Sequence, residues 1–511
     1  MKLSRILDQA SEMFNLNNTE TGELSRILQR LVKGSLDTPN ICSPILERLG
    51  DAKVLDGWNS VFDNHKSEIN DTLNSIEMNE KSKFGSRSRA KPWSDVKEEF
   101  LEFWNVSSAP VNLKPLKPET QGRLRPWETK RVIDVIKNST QSGLPFLVLK
   151  GLVKDKFLDK AYLISEWLRE YAAVPFVRTQ EMLKTRIVWG VPIANIIYEG
   201  AFFYPFLEYQ KKLSWRVALL GPDAVDKVAS AMVIKAVSQG EVLVSMDFAS
   251  YDRSLGPNLQ SLYDEYKCSV FQPMYCDTIL EIGERRVNIP MITPDGLKNG
   301  PHGLPSGSAD TNEAGSVIQA TIANDTGLVG IGGDSSQFHG DDSIARLAGM
   351  SEVESYIASF ERLKLEVNRT KTFTASNFVV FLQRLYHIDY IKDGNIGGIY
   401  STYRALNRIM NFERFTAFLD DGVDGKDFNA IRTISILENC KFHPLFEEFV
   451  TYVWSLDKYN LKFSENGLSK YVEMMRQSEG TDGLIRNQYG TEVSGIRNFE
   501  SFRIIEKLNK V

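Results

Sequence analysis

Two short segments constrain the fold of this chain more than anything else in it: EVLVSMDF at 241–248 and SSQFHGDDSIARL at 335–347. The first alternates and then concentrates apolar residues, which predicts a buried strand, and ASYDRSL with a helix-like run follows at once. In the second, Gly-Asp is favoured turn chemistry, so Gly340, Asp341 and Asp342 are expected at the tip of a hairpin. Acidic residues therefore sit where strands end. A fold that joins these strand ends gathers Asp247 and Asp341 at one point.

The rest of the chain frames that point. From residue 1 to about 105 the sequence is polar and helix-forming, with a Ser, Lys and Arg-rich break at 81–92 read as an exposed loop. Residues 106–126 are rich in proline and basic residues, and after 385 the pattern is largely helical, with a Gly and Asp-rich loop at 420–427. The start, MKLSRILDQASEMFNL, reads as an amphipathic helix and not a signal peptide, because Asp8 and Glu12 interrupt its apolar residues. No stretch approaches the roughly 18 apolar residues that span a bilayer, which predicts no membrane partner. Four cysteines, at 42, 268, 276 and 440, have no zinc-finger spacing, so neither a zinc site nor a disulfide framework is expected and a reducing compartment is the simplest inference.

Net charge is uninformative as a total: 61 Lys and Arg against 66 acidic residues give -5. Its distribution says more. Lys81, Lys83, Arg87, Arg89 and Lys91 form one basic run, and Lys114, Lys117, Arg123, Arg125, Lys130 and Arg131 a looser one. Either a basic channel inside an acidic surface or two solvated loop faces fits these runs.

Joining nucleotides requires a hydroxyl to attack a phosphoryl centre in line, with two Mg2+ ions roughly 3.5–4 Å apart stabilising the attacking and leaving oxygens. Magnesium takes hard oxygen ligands and usually only one or two protein carboxylates, so Asp247, Asp341 and Asp342 meet the need as metal ligands, with Mn2+ able to substitute. Gly-Asp-Asp alone is weak, expected by chance in roughly one chain in ten of this length, and the D-x4-D pair Asp247 and Asp252 is weaker. The third element decides. LPSGSADTNEAGS at 304–316 contains Ser-Gly-x3-Thr-Asn, whose chance expectation is below roughly one in a hundred, and it opens a long helix through VIQATIAN.

In this order and spacing the three elements resemble the palm motifs A, B and C of viral RNA-dependent RNA polymerases. The resemblance runs from about 139 to 384. STQSGLPF at 139–146 resembles motif G, which implies template contacts for Ser142 and Gly143. RTQEMLKTRIVWG at 178–190 resembles motif F and implies that Arg178, Lys184 and Arg186 clamp the incoming triphosphate; a basic surface strand is the plain alternative. LEVNRTKT at 365–372 resembles motif D, with Lys371 matching the lysine thought to protonate the departing pyrophosphate, although an ordinary solvated lysine fits almost as well. FLQRLY at 381–386 resembles motif E, with Arg384 a candidate contact to the primer backbone, or else plain core.

The ribose 2′-hydroxyl donates and accepts hydrogen bonds, and Asn312 can offer an amide to it or simply cap its helix. By resemblance Asp252 and Ser306 complete that network, with Gly307 and Thr311 in the same substrate-binding loop. The implied fold class is α+β, mainly helical with a small antiparallel palm sheet, in a closed right hand of fingers, palm and thumb. Its expected segments are 1–105 as an N-terminal extension bridging fingers and thumb, 106–240 fingers, 241–264 palm, 265–300 a fingers insertion, 301–384 palm and 385–511 thumb.

The wording PSGSADTNE and GDDS resembles picobirnaviruses first and partitiviruses second. That resemblance implies replication and transcription of a double-stranded RNA genome. The implied partners are RNA template and product, NTPs and the capsid protein, with work in the virion interior and the host-cell cytoplasm. Reverse transcriptases usually place an aromatic or hydrophobic residue and a variable one before the paired aspartates. A non-catalytic RNA-binding relative would be free to lose Asp247, Asp341 and Asp342. Two decoys are set aside. DDGVDGKDFNAI at 420–431 puts Gly422 and Ile431 where a calcium loop needs ligands. GIGGD at 330–334 has Ser335 in place of the third glycine of a dinucleotide fingerprint.

Overall fold

The computed structural model describes residues 2–479 and 493–510. The chain divides into two units, each assembled from separated stretches: 1–34, 92–177 and 187–382 in the first, 35–91, 178–186 and 383–511 in the second. The segment 1–105 is thus shared between both units.

The first unit is built around a four-stranded antiparallel sheet in the order Ser336–His339, Asp342–Leu347, Val242–Met246, Phe373–Ala375. Both strand-like segments read from the sequence are strands of this one sheet. Val242–Met246 is central because its side chains are apolar on both faces, and Leu243, Val244 and Met246 are buried. The helix Thr311–Thr326 packs behind it. Every residue from Glu313 to Ala323 is buried there, so its small side chains are a requirement of close packing on all sides. Around these elements lies a core that includes Phe206, Tyr263, Phe338 and Tyr356. The N-terminal segment forms the expected helix, Lys2–Met13. Residues 106–126 carry no helix and no strand of their own, as proline there dictates.

In the second unit, helices Thr402–Met410, Gly425–Leu437 and Phe446–Leu456 pack with Asp51–Asn64 around Trp58, Phe62, Tyr403 and Phe449. Short strands persist as far as Tyr400, so the helical region begins later than the sequence pattern indicates. Within the Gly and Asp-rich stretch only the first part is a turn: Asp424 accepts from the Lys426 amide and starts a helix. The basic run at 81–91 is only partly a solvated face: Lys91 is exposed, whereas Lys81, Lys83 and Arg89 are half-buried. Arg87 is buried between Glu181 and Glu413, and Arg89 donates to the Thr38 carbonyl.

The cysteine reading needs correction. Cys268 and Cys276 are disulfide-bonded, their Cα atoms 5.0 Å apart, because the chain reverses between helices Pro257–Val270 and Cys276–Asn288. The cysteine argument for a reducing compartment falls with it. Among the described residues no helix is long and apolar enough to cross a membrane.

Candidate active site

Strand register gathers the carboxylates. Met246 pairs with Ser343, so the next residues along the two strands are Asp247 and Asp342, and Asp342 also pairs with His339 across the hairpin. The turn itself is Gly340-Asp341. Gly340 has φ +65°, a conformation that side chains resist and that type II′ hairpins reserve for glycine at this position. Asp341 is exposed at the tip. Asp252 lies five residues beyond Asp247, on the short helix Tyr251–Ser254. The buried Tyr251 phenol is held well above its ordinary range by burial first and then by the charges of Asp252 and Asp341. Both carboxylates therefore act on the same ring.

The segment from Ser306 to Asn312 meets this strand end. Asn312 starts the long helix beside the turn: a Cβ placed on Gly340 would lie 3.1 Å from Asn312 Nδ2. Leu304 N donates to the Asp252 carbonyl (2.8 Å), which ties the loop to the other carboxylate segment. Ser306 is exposed and accepts from Trp189 N (3.3 Å). Gly307 has no room for a side chain, because a Cβ there would meet the Trp189 carbonyl oxygen. Thr311 donates to the carbonyls of Pro305 (2.8 Å) and Ser308 (2.9 Å), so its hydroxyl braces the loop.

Lys371 is exposed on a loop anchored to the site. Asp247 N donates to Thr372 Oγ1 (3.2 Å), and Asn368 N donates to the Asp247 carbonyl (2.8 Å). Arg178, Lys184 and Arg186 are exposed near the tip of the hairpin formed by Val174–Thr179 and Thr185–Gly190, in the part that belongs to the second unit. There Arg178 Nε pairs with Glu413 (2.9 Å).

The expected template and primer residues are buried. Ser142 is fully buried and its Oγ accepts from Val148 N (3.3 Å), while the Gly143 carbonyl accepts from Leu147 N (2.9 Å), so both take part in holding their own turn together. Arg384 is buried in the second unit, where it donates to the Gly398 carbonyl and to Asn439 Oδ1. Its guanidinium braces the protein interior.

Among the described residues no three His, Cys, Asp or Glu side chains already converge as a ligand set. The donors nonetheless suit a hard divalent cation such as Mg2+: Asp247, Asp341 and Asp342 bring carboxylate oxygens to one sheet end and would hold it there.

Sequence reasoning missed what holds the site from beneath. Arg216 is fully buried and donates to Ser316 Oγ, Asn312 Oδ1 (2.9 Å), Glu313 Oε1 (3.1 Å) and the Phe338 carbonyl (2.9 Å). Gln319 Nε2 donates to the Gly340 carbonyl (2.6 Å). Below the loop, Glu199 accepts from Ser308 Oγ (3.0 Å) and Ala309 N (2.9 Å), and burial followed by the charge of Asp310 pushes its carboxyl up to about 7. Asp310 takes two bonds from Lys267 (2.9 Å each), and Arg286 forks onto Asp264 (2.8 Å each). One signal was available: Arg216 is a lone cation in the apolar run LSWRVALL, and a buried charge needs partners.

The chain is similar to known proteins in family, in sequence and in fold. The family model described as viral RNA-dependent RNA polymerase matches residues 105–396, more than half of the chain. A protein of Human picobirnavirus (strain Human/Thailand/Hy005102/-), described as a potential RNA-dependent RNA polymerase, is 29% identical over 423 residues, covering 76% of this chain and 77% of that one. The crystal structure of the RNA-dependent RNA polymerase of a human picobirnavirus matches with a TM-score of 0.79 at 22% identity, covering 98% of this chain and 99% of that one. Its insertion-loop deletion mutant matches over the same shares with a TM-score of 0.80 at 24% identity. At these identities the two structures establish a shared fold.

Proposed function

Since the chain belongs to the viral RNA-dependent RNA polymerase family, we propose that it replicates and transcribes a double-stranded RNA genome by two-metal nucleotidyl transfer. The observation that carries the reading is the Asn312 amide beside Gly340, on the hairpin that bears Asp341 and Asp342. It puts a candidate sugar-reading group next to candidate phosphate chemistry.

In this reading Asp247, Asp341 and Asp342 hold two Mg2+ ions, or Mn2+ in their place. Such ions supply Lewis-acid stabilisation of the attacking and leaving oxygens. Asp252, Ser306 and Asn312 address the ribose 2′-hydroxyl, and Gly307 and Thr311 keep their loop in shape. A network built to bond a hydroxyl rejects the analogue that lacks it, because its own polar groups are then unpaired. Arg178, Lys184 and Arg186 attract the triphosphate, and Lys371, on the loop anchored at Asp247, gives a proton to the departing pyrophosphate. The first unit then corresponds to palm and fingers, and the second to the thumb with its bridging segment. The enzyme works with the capsid protein, in the virion interior and the host-cell cytoplasm.

Purified protein on defined RNA templates should incorporate labelled NTP with Mg2+ or Mn2+, with and without a primer as separate arms. Product should match the template's complement and vanish on chelation by EDTA. Incorporation that ignores template sequence would rule out the reading.

A further inference from the structure

The guanidinium of Arg216 bridges two elements of the site. One nitrogen, Nη1, donates to Ser316 Oγ on the long helix and to the Phe338 carbonyl (2.9 Å) on the hairpin. The other, Nη2, donates to Asn312 Oδ1 (2.9 Å) and Glu313 Oε1 (3.1 Å). Ser316 Oγ carries the link onward by accepting from Gly340 N (2.8 Å) and donating to the Asn312 carbonyl (2.7 Å). Arg216 is wholly enclosed, so these contacts fix its plane.

A guanidinium has donors only, whereas an asparagine amide has one accepting and one donating end. Arg216 therefore selects which end of Asn312 turns inward: Oδ1 is taken, and Nδ2 is left on the side of Gly340. An amide without such a partner can turn its other end and present an acceptor instead.

We propose that Arg216 is a specificity-determining positioning residue, which orients Asn312 so that Nδ2 donates to the 2′-hydroxyl oxygen of the incoming ribonucleotide. This inference rests on the ribose-reading role given to Asn312 above. Arg216 touches no substrate. It acts through Asn312 and, by way of Ser316, keeps the helix in register with the Gly340 turn.

The test compares kcat/KM for NTP and for the matching dNTP in the full chain and its variants. Arg216→Gln brings an acceptor as well as donors and lets the Asn312 amide flip, so relative use of dNTP should rise about tenfold, the scale of one hydrogen bond. Arg216→Lys, which again only donates, should restore most of the discrimination. Arg216→Gln added to Asn312→Ala should shift the ratio no further than Asn312→Ala alone, as residues acting through one contact do. Should Arg216→Gln fail to fold, Ser316→Ala removes one tether and should move the ratio in the same direction. If Asn312→Ala raises dNTP use and the folded Arg216 or Ser316 variants leave the ratio unchanged, the positioning role is overturned and the ribose reading stands. If Asn312→Ala itself leaves the ratio unchanged, both are overturned.

Discussion

Arg286→Met should lower the unfolding free energy of the first unit by about 3–5 kcal/mol, the cost of leaving a buried charge without its partner. Arg286 is fully buried; although burial works against its charged form, Asp264 and Asp310 hold its pKa above the ordinary value. Its guanidinium forks onto both Asp264 oxygens (2.8 Å each), takes Gln260 Oε1 (3.0 Å) and reaches Asp310 (3.4 Å). With methionine in its place the Asp264 carboxylate stays enclosed with no guanidinium to meet it. A urea titration should show the drop in midpoint, and Asp264→Asn in the same chain should recover much of it, since the stranded charge is then gone. A midpoint that does not move would mean that nearby Lys267 neutralises Asp264 without help. The functional consequence is local. Asp310 immediately precedes the helix that carries Asn312, so loosening this network should also loosen the loop from Ser306 to Thr311.

The second large effect separates the two acids of the D-x4-D pair. Asp247→Ala should reduce incorporation of every nucleotide at least about a thousandfold, the scale of losing a group that supports developing charge at the reacting phosphate. Asp252→Ala should leave measurable synthesis and weaken the preference for NTP over dNTP. Asp247 follows the central strand, next to Asp342, whereas Asp252 is on the following helix with its carbonyl bound to Leu304 of the loop. Single-nucleotide incorporation rates for NTP and dNTP distinguish these outcomes. Equal loss from both variants, with no change in sugar preference, would place Asp252 in the metal-ligand set instead.

The parts of this site legible in the sequence were those whose chemistry is local. A strand period, a Gly-Asp turn and Ser-Gly-x3-Thr-Asn each declare themselves within a few residues, and the sheet and the buried helix lie where those patterns indicate. Burial was harder to read. Nothing in QSG says that Ser142 is spent on its own turn, and nothing in FLQRLY says that the Arg384 guanidinium faces inward to Gly398 and Asn439. Polar residues in short motifs look available until a third segment is folded against them. The same blindness hid Arg216, which is separated by about a hundred residues from the helix it orients. It also hid the Cys268–Cys276 bond, since a spacing of eight becomes a short distance only when two helices turn back on each other.

The central claim is that nucleotide joining depends on the carboxylates at the end of the central sheet. It is tested most directly by Asp341→Ala in template-directed incorporation of labelled NTP, with Mg2+ and again with Mn2+. Asp341 is exposed at a turn, so the variant should melt at the temperature of the parent chain and make no product complementary to the template. Continued synthesis by a folded Asp341→Ala protein would contradict the claim.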